Sequence, residues 1–303
     1  MKEESRIPPR PGRVLLLEPG LRTVLAPNPS PMTLHGTNSY ILGEGEVAVI
    51  DPGPADPAHL AALLGALAPG ERVSHIFVTH AHLDHSPLAR PLAEATGAPV
   101  LAFGDARAGR SALMERLAAG GGLAGGEGVD AGFAPDIRLR DGETVEGAGW
   151  TLRAVYTPGH MGNHLSFAWQ DTVFCGDHVM GWASSLVSPP DGDMGAYMAS
   201  LARLAATGAR RLYSGHGDPI PDAQARIAAL AAHRREREAA ILGALSRGPA
   251  DAASLAAMIY TDTPAPLMRA AARNVFAHLL DLMEKKIAEP ELYSGIDAHF
   301  RLL

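Results

Sequence analysis

The apolar run at residues 73–78 passes without a break into Thr-His-Ala-His-Leu-Asp-His at residues 79–85. A short apolar run of this kind is typical of a buried strand, so the polar residues that follow it lie where the chain leaves a sheet. Five of the seven side chains in this stretch carry oxygen or nitrogen atoms that can bind a cation. Imidazole and carboxylate groups are common metal ligands. The sequence therefore predicts a metal site at the end of a buried strand, in a fold that groups strand ends around a cleft.

Three later segments place further ligand candidates just beyond a strand: Gly159-His160, Gly176-Asp177 and Gly215-His216-Gly217. A flanking glycine lets the backbone turn sharply, so all four strand ends can direct side chains to one point. A single loop histidine is more often exposed or hydrogen-bonded than a metal ligand, but this joint pattern is hard to obtain by chance. The seven ligand candidates are His80, His82, Asp84, His85, His160, Asp177 and His216.

Turn residues divide the N-terminal part of the chain into short β-rich runs, which predict one antiparallel sheet. These runs are residues 14–17, 24–26, 39–42 and 47–50. Helices and strands then alternate, which is typical of a sheet covered by helices. The predicted helices are 59–67, 86–96 and 108–119, and the predicted strands are 73–78 and 99–103. A second β-rich half follows, with strands at 151–157, 164–169, 172–174 and 211–213 and a helix at 196–206.

The chain becomes helical from about Asp222. We predict an irregular arm over residues 1–12, a catalytic domain over 13–221 and a small helical domain over 222–303. Helices at 251–260 and 266–286 and short strands at 287–293 and 300–302 give this last unit the element order of a winged helix. The run at 234–238 mixes both signs of charge and is expected to be a solvated helix face. The glycine-rich tract at 120–128 is expected to be a linker, with a lid over the cleft as the alternative.

The ligand order His-x-His-x-Asp-His, Gly-His, Gly-Asp, Gly-His-Gly resembles that of the metallo-β-lactamase-fold superfamily, from about residue 14 to residue 221. The resemblance implies an αβ/βα sandwich, in which two sheets pack face to face, helices lie outside and metals bind at one edge. It further implies two metal sites. Carried over residue by residue, the first site would use His80, His82 and His160, the second Asp84, His85 and His216, and Asp177 would bridge them.

A narrower resemblance is to the beta-lactamase-like protein 2 branch of this superfamily. It depends on Tyr-Thr-Pro-Gly-His at 156–160, on Gly176-Asp177, on Tyr-Met-x-Ser-Leu at 197–201 and on His233-Arg234 in the helical appendage. The chain departs from that branch at residues 160–164, where it has His-Met-Gly-Asn-His, and at residues 178–182, where it has His-Val-Met-Gly-Trp. We expect these two departures to line the substrate pocket.

Nitrogen and carboxylate ligands at two adjacent sites favour two divalent ions, with Zn²⁺ first and Fe or Mn as alternatives. Two such ions lower the pKa of a shared water toward neutrality, so a metal-bound hydroxide is the expected nucleophile. Asp84 is assigned a second role in handling a proton. His178 and Tyr197 are candidates for stabilising an oxyanion, with packed wall residues as the alternative.

The other titratable residues receive structural assignments. Asp51 either orients a ligating histidine or only caps the turn before Pro52. His164 is expected to be buried and structural, and Cys175 to pack as a small apolar residue. The remaining histidines, which are expected not to bind metal, are His35, His59, His75, His233, His278 and His299.

These observations predict a dinuclear metal-dependent hydrolase of a small ester, thioester, lactone or amide. The alternative, which the resemblance to the beta-lactamase-like protein 2 branch implies, is a single-strand-specific endoribonuclease, and the net charge of −7 disfavours it because the overall field repels polyanions. A true β-lactamase and a DNA-binding regulator are weaker alternatives. The single cysteine excludes an intramolecular disulfide, and the first residues lack the apolar run of a signal peptide. A cytoplasmic protein with a small-molecule substrate and no membrane contact is therefore expected.

Overall fold

A computed structural model of the protein describes residues 10–120, 128–291 and 295–303. The larger of its sheets has seven strands that follow one another in chain order. They are β1 (Val14–Glu18), β2 (Leu21–Leu25), β3 (Asn38–Leu42), β4 (Glu46–Ile50), β5 (Arg72–Phe77), β6 (Val100–Ala102) and β7 (Ile137–Arg138). Strands β1 to β4 are antiparallel, as predicted, and β5 to β7 extend the same sheet in parallel.

The second sheet has five strands in the order β12-β11-β10-β9-β8. They are β8 (Thr144–Gly147), β9 (Trp150–Tyr156), β10 (Leu165–Trp169), β11 (Thr172–Gly176) and β12 (Arg211–Ser214). The β11–β12 pair is parallel and the other pairs are antiparallel. Parallel pairing brings the C-terminal ends of β11 and β12 to the same edge of the sheet, which is where Asp177 and His216 follow.

The two sheets pack face to face through an aromatic core. The Phe77 ring of the first sheet lies 5.1 Å from the Phe167 ring of the second and 6.0 Å from that of Trp150. Offset and edge-on aromatic pairs of this kind add about 0.5–1.5 kcal/mol each to the burial of their area. The same core contains Leu21, Tyr40, Leu42, Ile50, Leu152, Leu165, Phe174 and Tyr213.

Helices cover the outer faces of both sheets and complete the predicted αβ/βα sandwich. They are α1 (Pro57–Gly65), α2 (Ala89–Thr96) and α4 (Met194–Ala206), whereas α3 (Ala112–Ala119) packs through Leu113 and Met114 against the C-terminal helices. Asp56 accepts two backbone N–H bonds at the start of α1, and Gly97 ends α2 in the left-handed conformation that favours glycine. Leu63 of α1 and Leu92 of α2 pack on the first sheet, and Leu201 and Leu204 of α4 pack on the second.

The C-terminal part contains α5 (Ala223–Leu245), α6 (Ala252–Ile259), α7 (Met268–Glu284), β13 (Ala288–Pro290) and β14 (Phe300–Leu302). The last two strands pair in an antiparallel hairpin, so the predicted winged-helix order is confirmed. Asp222 is the N-cap of α5, at the predicted start of this unit. The domain limits themselves stay a prediction. Most of the predicted arm at 1–12, most of the glycine-rich tract at 120–128 and part of the strand at 287–293 lie outside the described residues.

The expectation of a solvated helix face at residues 234–238 is wrong for its first residue. Arg235 and Glu236 are exposed, but Arg234 retains only 1% of its accessible area. It lies seven residues from both Ile227 and Ile241, which are buried on the same side of α5. A spacing of seven residues keeps side chains on one face of a helix, so Arg234 enters the interior with them. None of the described helices is long and apolar enough to span a membrane.

Candidate metal centre

The seven ligand candidates of the sequence meet at one edge of the sandwich, in two groups of side chains. The first group is His80, His82 and His160, all of them buried. His82 Nδ1 lies 2.9 Å from His80 Nε2 and 3.1 Å from His160 Nε2. Tetrahedral zinc with Zn–N bonds of about 2.0–2.1 Å requires nitrogen atoms roughly 3.3 Å apart. The three nitrogen atoms are therefore spaced as one metal ion needs them.

The second group consists of Asp84, His85, Asp177 and His216. His216 Nε2 lies 3.2 Å from Asp84 Oδ2 and 3.1 Å from Asp177 Oδ2, and His85 Nε2 lies 3.4 Å from Asp177 Oδ1. Asp177 Oδ2 is also 3.9 Å from His160 Nε2 of the first group. Asp177 is therefore the carboxylate that reaches both groups, the position that the resemblance assigns to a bridging ligand.

Asp51 orients the second group through hydrogen bonds rather than only capping its turn. Its Oδ2 accepts a hydrogen bond of 2.9 Å from His85 Nδ1 and one of 2.8 Å from the Thr79 hydroxyl, and its Oδ1 accepts the Thr79 N–H at 2.7 Å. The Thr79 oxygen in turn accepts from His80 Nδ1 at 2.9 Å. One carboxylate thereby fixes the tautomer of two histidines and leaves the Nε2 atom of each as a ligand.

Backbone carbonyls orient two further histidines. His160 Nδ1 donates to the Leu186 carbonyl at 2.7 Å, and His216 Nδ1 donates to the Gly36 carbonyl at 3.1 Å. A carbonyl can only accept, so both imidazoles carry the proton on Nδ1 and offer Nε2 to the site. His82 differs from the others because its Nδ1 faces the group.

Burial and neighbouring charge give the two groups opposite proton affinities. Burial lowers the pKa of His80 and brings that of His82 to about 3, so both are neutral at pH 7, the form that binds metal. Burial also opposes the protonation of His216, but Asp177 and Asp84 outweigh it and raise its pKa to about 10. The second group therefore attracts positive charge, as protons or as a divalent cation.

Two buried atoms that make no hydrogen bond test whether these residues fit a metal. His85 Nε2 and Asp177 Oδ1 are fully buried and make no hydrogen bond, an arrangement that costs free energy unless something binds them. Gly215 leaves room beside them, since a Cβ atom there would lie 2.2 Å from Asp177 Oδ1 and 2.6 Å from His85 Cε1. The donor set, its spacing and this gap fit two metal ions.

The second group opens into a cavity of about 290 Å³. It is lined by Asn28, Ser30, Met32, Thr33, Asp84, Asp177 and His216. The first four belong to the loop between β2 and β3, which sequence reasoning treated only as a turn. Its polar side chains bond within the loop: Asn28 Oδ1 accepts the Thr37 N–H at 2.9 Å, and Thr33 Oγ1 donates to the Asn28 carbonyl at 2.6 Å. The Asn-Pro-Ser-Pro sequence predicts a turn here, but it does not indicate that the turn lies beside the second ligand group.

His178 and Tyr197, the two oxyanion candidates, are not brought together with the ligands in this cavity. Both are fully buried, and their rings pack 4.5 Å apart. The Tyr197 hydroxyl donates to the His178 carbonyl at 3.0 Å, which occupies its only proton. This arrangement favours the alternative of packed wall residues.

The segments that depart from the resembled branch are also mostly internal. Met161 packs under the first sheet, and Asn163 donates to the Asp105 carbonyl at 3.1 Å. Neither lines the described cavity, against expectation. Trp182 is the exception, because its ring lies beside Gly217 and is 39% exposed.

The remaining assignments concern residues near the ligands. His164 is fully buried, bonds Thr157 Oγ1 through Nδ1 at 2.9 Å and lies outside both groups, so its structural role is supported. Cys175 is buried among apolar side chains. The six histidines predicted not to bind metal also lie outside the two groups.

Comparison with known sequences agrees with this geometry. The chain matches the Metallo-beta-lactamase superfamily over residues 32–216, which contain every ligand candidate. The chain belongs to this superfamily. As a member it is an enzyme of the hydrolase class. Residues 252–290 match the Beta-lactamase associated winged helix domain, which confirms the character of the C-terminal unit.

Two curated members of the superfamily illustrate the range of relatives. The Beta-lactamase-like protein 2 homolog of Drosophila melanogaster is 31% identical over 288 residues, which cover 89% of this chain and 92% of that protein. The Atrochrysone carboxyl ACP thioesterase of Aspergillus fumigatus is 32% identical over 252 residues, 80% of this chain and 70% of that protein. The first of these supports the narrower resemblance to the beta-lactamase-like protein 2 branch.

Solved structures show the same fold. A metallo-beta-lactamase family protein from Thermus thermophilus superposes with a TM-score of 0.74 at 29% identity, over 95% of this chain and all of that one. A beta-lactamase domain protein from Burkholderia ambifaria gives 0.79 at 23% identity, over 99% and 96%. Both comparisons extend across the sandwich and the C-terminal helices.

Proposed function

We propose that this protein is a dinuclear metal-dependent hydrolase that acts on a small ester or thioester. The observation that carries the proposal is the position of the second ligand group, which forms one wall of the 290 Å³ cavity. That volume lies just below the usual range of about 300–1,000 Å³ for small-molecule sites, so it suits a small substrate. A thioester is favoured within the predicted substrates because several relatives at 31–32% identity are named as carboxyl ACP thioesterases.

Two bound divalent ions would supply a water of lowered pKa and polarise the substrate carbonyl. His80, His82 and His160 would hold one ion, Asp84, His85 and His216 the other, and Asp177 both. Zn²⁺ is the ion we favour, because five of these seven ligands are imidazoles.

Asp84 has a further task in this mechanism. Its side chain is 22% exposed and lines the cavity, whereas that of Asp177 is only 6% exposed. Asp84 can therefore exchange a proton with a substrate or with solvent, as a general base must. The β2–β3 loop, which is hydrogen-bonded within itself, forms the rest of the cavity wall and would contact the acyl group.

The alternatives predict different surfaces. An RNA substrate needs cationic side chains for its phosphates, and no Lys or Arg is among the residues that line the cavity. A DNA-binding role would need α7 to enter a groove, yet residues 274–282 of this helix are buried. Both features favour a small neutral substrate over nucleic acid.

The test combines metal analysis with a hydrolysis screen of esters, acyl thioesters, lactones, β-lactams, phosphodiesters and single-stranded RNA. We expect two metal equivalents per chain and the highest kcat/KM on a thioester or an ester. Turnover of RNA that weakens steeply with salt would instead establish the nuclease, and turnover of β-lactams above the rest would establish a lactamase.

A separate variant tests the proposal that Asp177 bridges the two metal ions. Asp177→Ala should lower both metal content and kcat/KM, the latter more than about 100-fold, since even residues that only support a ligand typically cost 10–100-fold. Asp141→Ala is the matched control, because this carboxylate is 47% exposed and pairs with Arg203 at the surface. Full activity of Asp177→Ala with one metal lost would contradict the bridge.

A further inference from the structure

The segment between β11 and α4 is fastened to the C-terminal helices by two buried polar side chains. Arg234 of α5 donates through Nη2 to the Ser185 carbonyl. Asn274 of α7 accepts the Val187 N–H through Oδ1 at 3.0 Å, and the same oxygen accepts Arg234 Nη1 at 3.2 Å. Arg234 and Asn274 therefore form one clamp on the backbone immediately before and after Leu186.

Leu186 is the residue whose carbonyl accepts the His160 Nδ1–H at 2.7 Å. His160 turns its Nε2 toward His82 at 3.1 Å, in the first ligand group. A continuous series of hydrogen bonds thus runs from α5 and α7, through the Leu186–Val187 peptide group, to the ligand candidate His160.

The clamp is costly as a purely structural device. Arg234 is buried and has no carboxylate within 4 Å among the described residues, and its Nε makes no hydrogen bond. Its compensation comes from two oxygen acceptors and from the Tyr197 ring, whose centroid lies 5.1 Å from the guanidinium carbon. Apolar side chains of similar volume are often as stable as a buried charge. Stability alone therefore does not account for a charge at this position, whereas its two hydrogen bonds do fix the positions of Ser185 and Asn274.

We infer that Arg234 and Asn274 are positioning residues, which fix the Leu186 carbonyl and thereby the orientation of His160 toward the first metal ion. The inference rests on the proposed function, in which His160 is a metal ligand. It gives the winged-helix unit a role inside the metal centre. The unit completes the support of the first site, to which Asp51 contributes through Thr79, while Asp51 and the Gly36 carbonyl support the second site.

The variants isolate one acceptor and one donor. Asn274→Leu removes the acceptor for both Val187 and Arg234, whereas Asn274→Asp retains it and serves as the conservative rescue. Arg234→Met removes the donors and keeps a long apolar side chain. It tests the same positioning role if Asn274→Leu fails to fold. Arg237→Met is the matched control, because Arg237 on the same helix stacks on Tyr260 and donates to Ile259 without touching residues 185–187.

Two measurements on the full chain test the inference: one reports the hydrogen bond of the clamp to Val187, and the other reports metal affinity at the first site. Hydrogen exchange of the metal-free protein reports the Val187 amide, and Co²⁺ titration with visible absorption reports each metal site by its own spectrum. In Asn274→Leu and Arg234→Met we expect exchange at Val187 to rise several-fold and Co²⁺ affinity of the first site to fall 10–100-fold. Asn274→Asp and Arg237→Met should stay within about threefold of the parent protein.

The outcomes separate the inference from the proposed function. Faster Val187 exchange with unchanged Co²⁺ affinity of the first site would overturn the inference, and so would equal weakening by Arg237→Met. If Co²⁺ binding responds as expected but the parent protein hydrolyses no ester or thioester, the positioning role stands and the proposed substrate is wrong. A parent protein that binds no Co²⁺ would refute both.

Discussion

Replacement of Asp51 by Asn tests how strongly the metal centre depends on a residue that does not bind metal. The carboxylate accepts three hydrogen bonds, from His85 Nδ1, from the Thr79 hydroxyl and from the Thr79 N–H. An asparagine keeps one oxygen, which the Thr79 N–H would hold. Its amide nitrogen would then face two groups that both donate.

The conflict is relieved only when the imidazole of His85 changes its tautomer. With its Nδ1 accepting from the new amide, the ring carries its proton on Nε2, the atom that faces Asp177 at 3.4 Å. The Thr79 hydroxyl, which now accepts from the amide, can donate to His80 Nδ1 and shift that proton in the same way. One substitution thus places protons on a ligand atom in each metal site.

The expected loss is 10–100-fold in affinity at each site, or about 1.4–2.7 kcal/mol. Competition with a chromophoric chelator at pH 7 measures both constants. Asp56→Asn is the matched control, because Asp56 only caps α1 and asparagine is an equally good cap. Affinities of Asp51→Asn within threefold of the parent values at both sites would refute the tautomer argument.

Two further predictions concern space and protonation. Gly215→Ala should weaken metal binding strongly, because its Cβ would lie 2.2 Å from Asp177 Oδ1. Gly243→Ala is the contrasting case: no atom lies within 4 Å of the added Cβ, so this substitution in α5 should raise the free energy of unfolding by about 0.5–1 kcal/mol in a urea titration. Burial lowers the pKa of His59 from 6.5 to about 4, so the unfolded chain takes up this proton first and stability is lost as the pH falls from 6.5 to 4. Between pH 7 and pH 4.5 the His59→Gln variant should therefore lose roughly 2–3 kcal/mol less stability than the parent protein, measured by urea unfolding of the metal-free proteins. An equal loss in the variant and the parent would show that His59 does not titrate as its burial implies.

The parts of the fold that the sequence predicted are those with a local signal. Strand β5 and the ligands after it form one uninterrupted pattern, and the glycines before His160, Asp177 and His216 mark the other strand ends. Strand β7 has two residues and no period, so only its pairing with β6 defines it. Predicted element limits differ by one to four residues where capping decides them, as in α3, which begins after Ser111.

The parts of the site that the sequence could not predict are contributed by the backbone and by distant packing. The backbone carbonyls of Gly36 and Leu186 orient two ligands. Every residue has such a carbonyl, so the sequence does not indicate which of them will act. The β2–β3 loop is a cavity wall because the fold places it beside Asp84, Asp177 and His216, which are distant in the sequence. Arg234 is a different case, because its spacing of seven from Ile227 and Ile241 indicates a buried position in the sequence, whereas the mixed charges of residues 234–238 indicate an exposed one.

The groups that orient the ligands also explain why the site belongs to the whole fold. His85 depends on an acceptor 34 positions away, His160 on one 26 positions away and His216 on one 180 positions away. An unfolded chain retains the dense stretch at 79–85 but none of these distant acceptors, so its histidines sample both tautomers and cannot form the second cluster without Asp177 and His216. Metal affinity in the proposed enzyme is therefore a property of the closed sandwich with its C-terminal helices in place, and binding stabilises that state over all others.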